Sequence, residues 1–195
     1  MSTPPRSEPQ RGTRGSGMIL TFFGVAWWFV GTVTLEGATR VAVLAVGLAL
    51  AAALLVVAMR RLGTAGEKEA YERAYRTLVW SNVAQGFGIM AVIVLGNVTG
   101  QQGWIPALIA IVVGVHFFPL SRAFGHPEYR GTAVGLIAVG AIGCVAAIAG
   151  LSVPAVLTLV GLLAACALWT TTIRHLRVDA AARSELRQQG AEAAS

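Results

Sequence analysis

All but one of the 15 Lys and Arg residues in this chain fall in alternate gaps between six long apolar runs. Arg6, Arg11 and Arg14 precede the first run. Arg60, Arg61, Lys68, Arg73 and Arg76 separate the second from the third, and Arg122 and Arg130 the fourth from the fifth. Arg174, Arg177, Arg183 and Arg187 follow the sixth, and the three remaining gaps share only Arg40. Cationic side chains stay on the cytoplasmic face during insertion. The pattern therefore predicts six crossings with both chain ends in the cytoplasm. Five crossings would put the two basic tails on opposite faces.

Each run is long enough for the purpose, since a membrane helix takes about 17–25 residues. The spans are expected at 18–34, 38–59, 77–98, 104–121, 132–150 and 154–173. The fold class is then all-α, a polytopic membrane protein of six transmembrane helices over 18–173. Residues 1–17, rich in Pro, Ser, Gly and Arg, cannot bury an apolar face and are expected to be a disordered cytoplasmic tail. Residues 174–195 are expected to be a second cytoplasmic tail. A positive start before an apolar stretch resembles a secretory signal. No Ala-x-Ala site precedes Arg40, so the first helix is expected to remain uncleaved.

Composition agrees with a lipid environment. Only 12% of the chain is charged, against about 25% in a soluble domain. The sequence pI of about 10.4 does not imply nucleic acid, because the cations flank apolar spans, where charge sets orientation. The lipid bilayer is the expected partner, with anionic headgroups the natural counterpart of the cations. Cys144 and Cys166 both lie inside expected spans. They act there as small packing residues rather than as a disulfide or a zinc site. No cofactor or metal is implied.

The longest inner connection carries Glu69 four residues before Arg73 and Glu72 four before Arg76. Those spacings favour helix, and Tyr71 and Tyr75 share a face. The third span is expected to extend into the cytoplasm as a charged helix. The outer connections are too short to hold an external binding domain.

Ionisable or polar groups deep in lipid are costly and mark candidate sites. His116 lies six residues before Arg122, or about 9 Å inside its span at 1.5 Å per residue. Asn82 and Gln85 lie about 9 and 13 Å inside the third span by the same rise. Ser81, Gln85 and Gly88 share a stripe that Asn82 borders. If the third and fourth spans pack together, His116, Asn82, Gln85 and Ser81 form a polar intramembrane cluster at the inner leaflet, an amide–imidazole network. Interhelical hydrogen-bond glue and a ligand or ion pathway are the two uses considered. Pro119 frees the carbonyl of Val115, so a helix break or kink is expected there.

The segment His116-Phe117-Phe118-Pro119-Leu120-Ser121-Arg122-Ala123-Phe124, followed by Pro127 and Tyr129, resembles one found in small bacterial multi-span membrane proteins without an assigned activity. The resemblance implies a bacterial plasma (inner) membrane location and no particular chemistry.

Trp27 and Trp28 fall near the middle of the first span, either lining a pocket or packing in bulk, whereas Trp80, Trp104 and Trp169 read as interfacial. Gly131 and Gly135 form a G-x-x-x-G in the fifth span, which permits close helix approach and leaves a homo-oligomer or a membrane-protein partner open. Gly24–Phe29 resembles Gly114–Pro119, and Val41–Gly47 resembles Val134–Gly140, as two inverted three-span halves would.

Two functional classes follow. The preferred one is an accessory or structural bundle, which predicts tight packing and no polar cavity. The alternative is a small transporter or channel with a site around His116, Asn82 and Gln85, which predicts a cavity reaching His116. Without paired carboxylates or a nucleophile–base pair, an enzyme is not expected and no catalytic residue is assigned.

Overall fold

The computed structural model describes residues 14–63 and 67–193. Six helices run through it: α1 Arg14–Thr32, α2 Gly37–Arg61, α3 Glu67–Val98, α4 Ile105–Phe124, α5 Glu128–Ile148 and α6 Val153–Ala193. A 3-10 turn, Gln102–Trp104, leads into α4. All six helices are long and apolar enough to cross a membrane. Their outward surfaces carry Phe22, Phe87, Val98, Val145 and Ile148, as a lipid-facing bundle requires.

α6 is the hub, packing on α1, α5, α4 and α2. α5 packs on α4, and α3 packs mainly on α4, while α1 and α3 are not packed on one another. The buried core is built from small and branched residues, including Ala107, Ala110, Leu136, Val156, Val160, Ala164 and Leu168. Small side chains allow the close approach that dispersion needs in lipid, where no hydrophobic drive joins helices. At the α1–α6 crossing, a Cβ on Gly161 would lie 2.5 Å from the backbone of Gly31. At α4–α5, one on Gly140 would lie 2.6 Å from the carbonyl of Ala107. The close glycine contacts of α5 thus serve packing within the chain. A Cβ on Gly131 would meet the Arg174 side chain, and one on Gly135 the Ala167 side chain.

Several expectations are corrected. Residues 14–17 are the first turn of α1 rather than part of a disordered tail. Arg14 is tied down there, its backbone N–H donating to Gly63 at 2.9 Å and its Nε to the carbonyl of Leu62 at 3.2 Å. The rest of that tail, 1–13, lies outside the described residues, as do 194–195. The segment after Ile173 continues α6 without a break to Ala193. At 41 residues and 1.5 Å per residue α6 is about 60 Å long, twice the hydrocarbon thickness. Its length exceeds what a single crossing needs.

Pro119 does not end α4, which runs on to Phe124 and closes on Gly125 at φ 68°. One lost backbone bond is tolerated because packing holds the turns beyond it. Leu120 is buried, and the Ser121 hydroxyl donates to the carbonyl of His126 at 3.0 Å. Trp169 is no interfacial anchor. It is buried, stacks on Trp28 with centroids 5.2 Å apart and donates its indole N–H to the carbonyl of Thr21.

The charged extension of α3 is helical, and Tyr71 and Tyr75 meet at 5.7 Å. Among the described residues Lys68 pairs with Glu72 at 4.0 Å, and the Arg73 Nε donates to the backbone carbonyl of Glu69.

Candidate functional site

Because α1 and α3 lean on different neighbours, a cavity of about 540 Å³ opens between them. Its wall is α1 from Gly15 to Trp27, the inward side of α3, and α4 with the turn beyond it. Along α1 that is a rise of about 18 Å at 1.5 Å per residue. Volumes of about 300–1,000 Å³ are usual for small-molecule sites. Ile19, Phe23 and Tyr71, all on this wall, are about half exposed. The gap between α1 and α3 thus gives access from the side of the bundle.

Polarity is graded along the cavity. Ser16, His126 and Tyr129 line the end nearest the basic connections, and Asn82, Gln85 and His116 lie further in. Leu20, Phe23, Trp27, Ile89, Ile109 and Val113 complete an apolar wall. The expected polar trio of Asn82, Gln85 and His116 is therefore brought to one space. The amide–imidazole network is not formed, however. His116 Nδ1 lies 2.9 Å from the hydroxyl of Ser81, which also reaches the His116 carbonyl at 3.4 Å. Ser81 faces α4 directly, while Asn82 and Gln85 are turned to the cavity. His116 and Gln85 also line a groove on the other side of the α3–α4 seam, so the imidazole stands between two spaces. Of the two central tryptophans, Trp27 lines the cavity, while Trp28 packs over Gly47 and donates its indole N–H to the carbonyl of Val43 at 2.9 Å.

A second constellation, outside the expected cluster, sits where the α4–α5 turn meets α6. Its construction is local. Gly125 takes the left-handed conformation that lets a helix stop. Pro127 then starts the next helix, and the acidic Glu128 falls in its first turn, favourable for the helix dipole. The carbonyl of His126 accepts from both Ser121 and the Tyr129 amide, fixing the turn. On α6 the buried residues Leu168, Thr172, His175 and Asp179 recur every three or four positions, so one face stays inward past the membrane. A hydrogen bond between the hydroxyls of Thr132 and Thr171 sets the register of α5 against α6. One turn further along each helix, Glu128 comes opposite His175.

The result is a compact buried group. The rings of His126 and His175 lie 5.5 Å apart, and Tyr129 packs at 5.6 Å from each. Tyr129 also hydrogen-bonds Ser16 at the start of α1, which closes the group from that side. His126 Nδ1 stands 3.9 Å from Glu128 Oε2, too far for a hydrogen bond. His175 is 1% exposed, and among the described residues neither of its ring nitrogens has a hydrogen-bond partner, nor does Glu128 Oε2. Such a buried, unpaired polar atom costs about 1–3 kcal/mol. Burial pushes the His126 imidazole below its ordinary pKa, with the Glu128 carboxylate opposing.

The fold is an all-α bundle of six helices long and apolar enough to cross a membrane, with a cavity between α1, α3 and α4. Comparison with protein families, with curated proteins and with solved structures finds no match.

Proposed function

We propose that this protein is a small carrier of the bacterial inner membrane that binds an amphipathic molecule in the cavity between α1, α3 and α4. The observation that carries the proposal is the grading of that cavity. Its polar groups collect toward the basic end of the bundle, and its apolar wall lies deeper. With the basic connections cytoplasmic, a ligand's polar head rests at the inner-leaflet interface beside His116, Asn82 and Gln85. Its apolar tail then lies along Phe23, Trp27, Ile109 and Val113. Entry is sideways from the lipid, between helices that do not pack on one another. An accessory bundle has no use for such a space, so its presence favours the carrier over the structural alternative.

The test uses single cysteines at Asn82, Gln85 and His116 in a chain carrying Cys144→Ala and Cys166→Ala. In oriented vesicles, Gln85→Cys and His116→Cys should react with a water-soluble thiol reagent, and a single-chain amphiphile should slow the reaction. Ala110→Cys, buried in the core, is the unreactive control. Carrier action further requires labelling from each face of the membrane. Protection of all three positions equal to that of Ala110→Cys would defeat the proposal.

A further inference from the structure

We propose that His126, Glu128 and His175 form a binding site for a first-row transition-metal dication, with zinc as the leading candidate. Each residue offers one donor atom, and these atoms all lie within 4.8 Å of one another. One ion at the usual bond lengths of about 2.0–2.2 Å to imidazole nitrogen and carboxylate oxygen needs donors no more than about 4.4 Å apart, a spacing that a small side-chain adjustment supplies. The decisive feature is His175. It is almost fully buried, it is held by packing against Tyr129 and His126, and neither ring nitrogen has a partner among the described residues. Glu128 Oε2 is likewise buried and unpartnered. Two imidazoles and a carboxylate facing one another without direct hydrogen bonds are arranged for an ion rather than for each other.

The donor set selects the class of ion. Two imidazole nitrogens disfavour magnesium and calcium, which prefer all-oxygen shells. Imidazole with one carboxylate suits zinc, iron, nickel or copper. Three protein donors leave a fourth position, as in sites that activate water or hold an exogenous ligand rather than purely structural ones. His126 also belongs to the cavity wall, so the ion stands at the cavity's polar end, where a ligand's anionic head can reach that position. Metal binding by the three residues does not rest on the carrier proposal, because it can be measured with no amphiphile present.

The experiment uses the full chain in detergent, purified through a tag without histidine and stripped with a chelator. Titration with zinc chloride should show saturable binding of one ion per chain and a rise in Tm that EDTA reverses. Glu128→Gln keeps the shape and removes the charge. It should melt like the stripped parent in EDTA and bind zinc roughly 100-fold more weakly, at or beyond the upper end of losses from disturbing ligand supports. His175→Leu should abolish the zinc-induced rise in Tm, while its Tm in EDTA should equal or exceed the parent's because two unpaired nitrogens are gone. Should His175→Leu fail to fold, Glu128→Gln decides alone. No saturable uptake by the parent, or uptake by Glu128→Gln equal to the parent's, overturns the site.

Discussion

The indole N–H of Trp169 on α6 donates to the backbone carbonyl of Thr21 on α1 at 3.2 Å, in a buried part of the bundle. The same ring lies over Gly24, where a Cβ would collide with it, and stacks on Trp28. One side chain thus joins α1 to α6 and, through Trp28 over Gly47, to α2. Trp169→Phe keeps much of the stack and loses the hydrogen bond. It should cost about 0.6 and at most about 1.7 kcal/mol, the range for interhelical bonds in lipid. Trp169→Ala adds a cavity and should cost about 3–5 kcal/mol. Trp80→Phe, 65% exposed, should stay within about 0.5 kcal/mol of the parent. Unfolding followed by circular dichroism in mixed micelles checks all three, and a Trp169→Ala protein as stable as Trp80→Phe would refute the packing role.

The α1–α6 crossing makes a sharper prediction from glycine. Gly161→Ala brings a methyl to within 2.5 Å of the Gly31 backbone, where no flexible side chain can yield. The helices must separate, at about 1–3 kcal/mol. Gly86→Ala meets nothing within 4 Å and should be neutral or stabilise α3 by up to about 1 kcal/mol from helix propensity. Opposite signs are the expected outcome of the same melting experiment, and equal shifts would contradict the crossing.

The Ser81 hydroxyl orients His116, so Ser81→Ala separates positioning from bulk stability. The fold should lose about 0.6 kcal/mol, too little to unfold the bundle. Amphiphile binding should weaken about threefold to tenfold, roughly 0.7–1.4 kcal/mol, because His116 Nδ1 then keeps only the Ser81 backbone carbonyl at 3.2 Å. Ser81→Thr keeps the hydroxyl and should restore most of the affinity. The readout is quenching of Trp27 fluorescence by a spin-labelled amphiphile in a Trp28→Phe, Trp80→Phe, Trp104→Phe, Trp169→Phe background. Affinity unchanged in Ser81→Ala would remove His116 from the site.

The six long apolar helices were legible in the sequence because hydropathy acts locally. The helical rise set Ser81, Asn82, Gln85 and His116 at similar levels, and the structure brings Ser81 against His116 and Asn82, Gln85 and His116 to one cavity. Side-chain partners were less legible. One residue's difference in helix register decides whether Ser81 or Asn82 faces α4, and spacing alone does not fix the rotation of one helix against another. His126, Glu128 and His175 were hidden for a different reason. Forty-seven positions separate Glu128 from His175, and they meet only because glycine crossings and the Thr132–Thr171 bond set how α6 lies on α5. One signal was present. Leu168, Thr172, His175 and Asp179 continue a helical stripe beyond the last apolar residues, and a stripe that persists past the membrane implies a buried face there. Treating the residues after Ile173 as a tail concealed it.

Orientation supplies the last prediction. The start of α1, the α2–α3 and α4–α5 connections and the far half of α6 share one end of the bundle, and among the described residues that end carries every Lys and Arg but Arg40. If positive charge is retained at the cytoplasmic face, the His126 group lies on the cytoplasmic side and His116 in the inner leaflet. A fluorescent reporter active only in the cytoplasm should glow when fused at the C-terminus and stay dark when inserted between Val98 and Gln102. A periplasm-specific phosphatase reporter should give the reverse. Moving cations tests the cause. Arg122→Gln with Arg130→Gln, combined with three Arg residues inserted at 99–101, should lower the yield of correctly threaded protein, whereas Arg40→Gln should leave it unchanged. A periplasmic C-terminus in the parent chain would invert every depth assigned here, moving the cavity's polar end and the three metal-ligating candidates to the outer face.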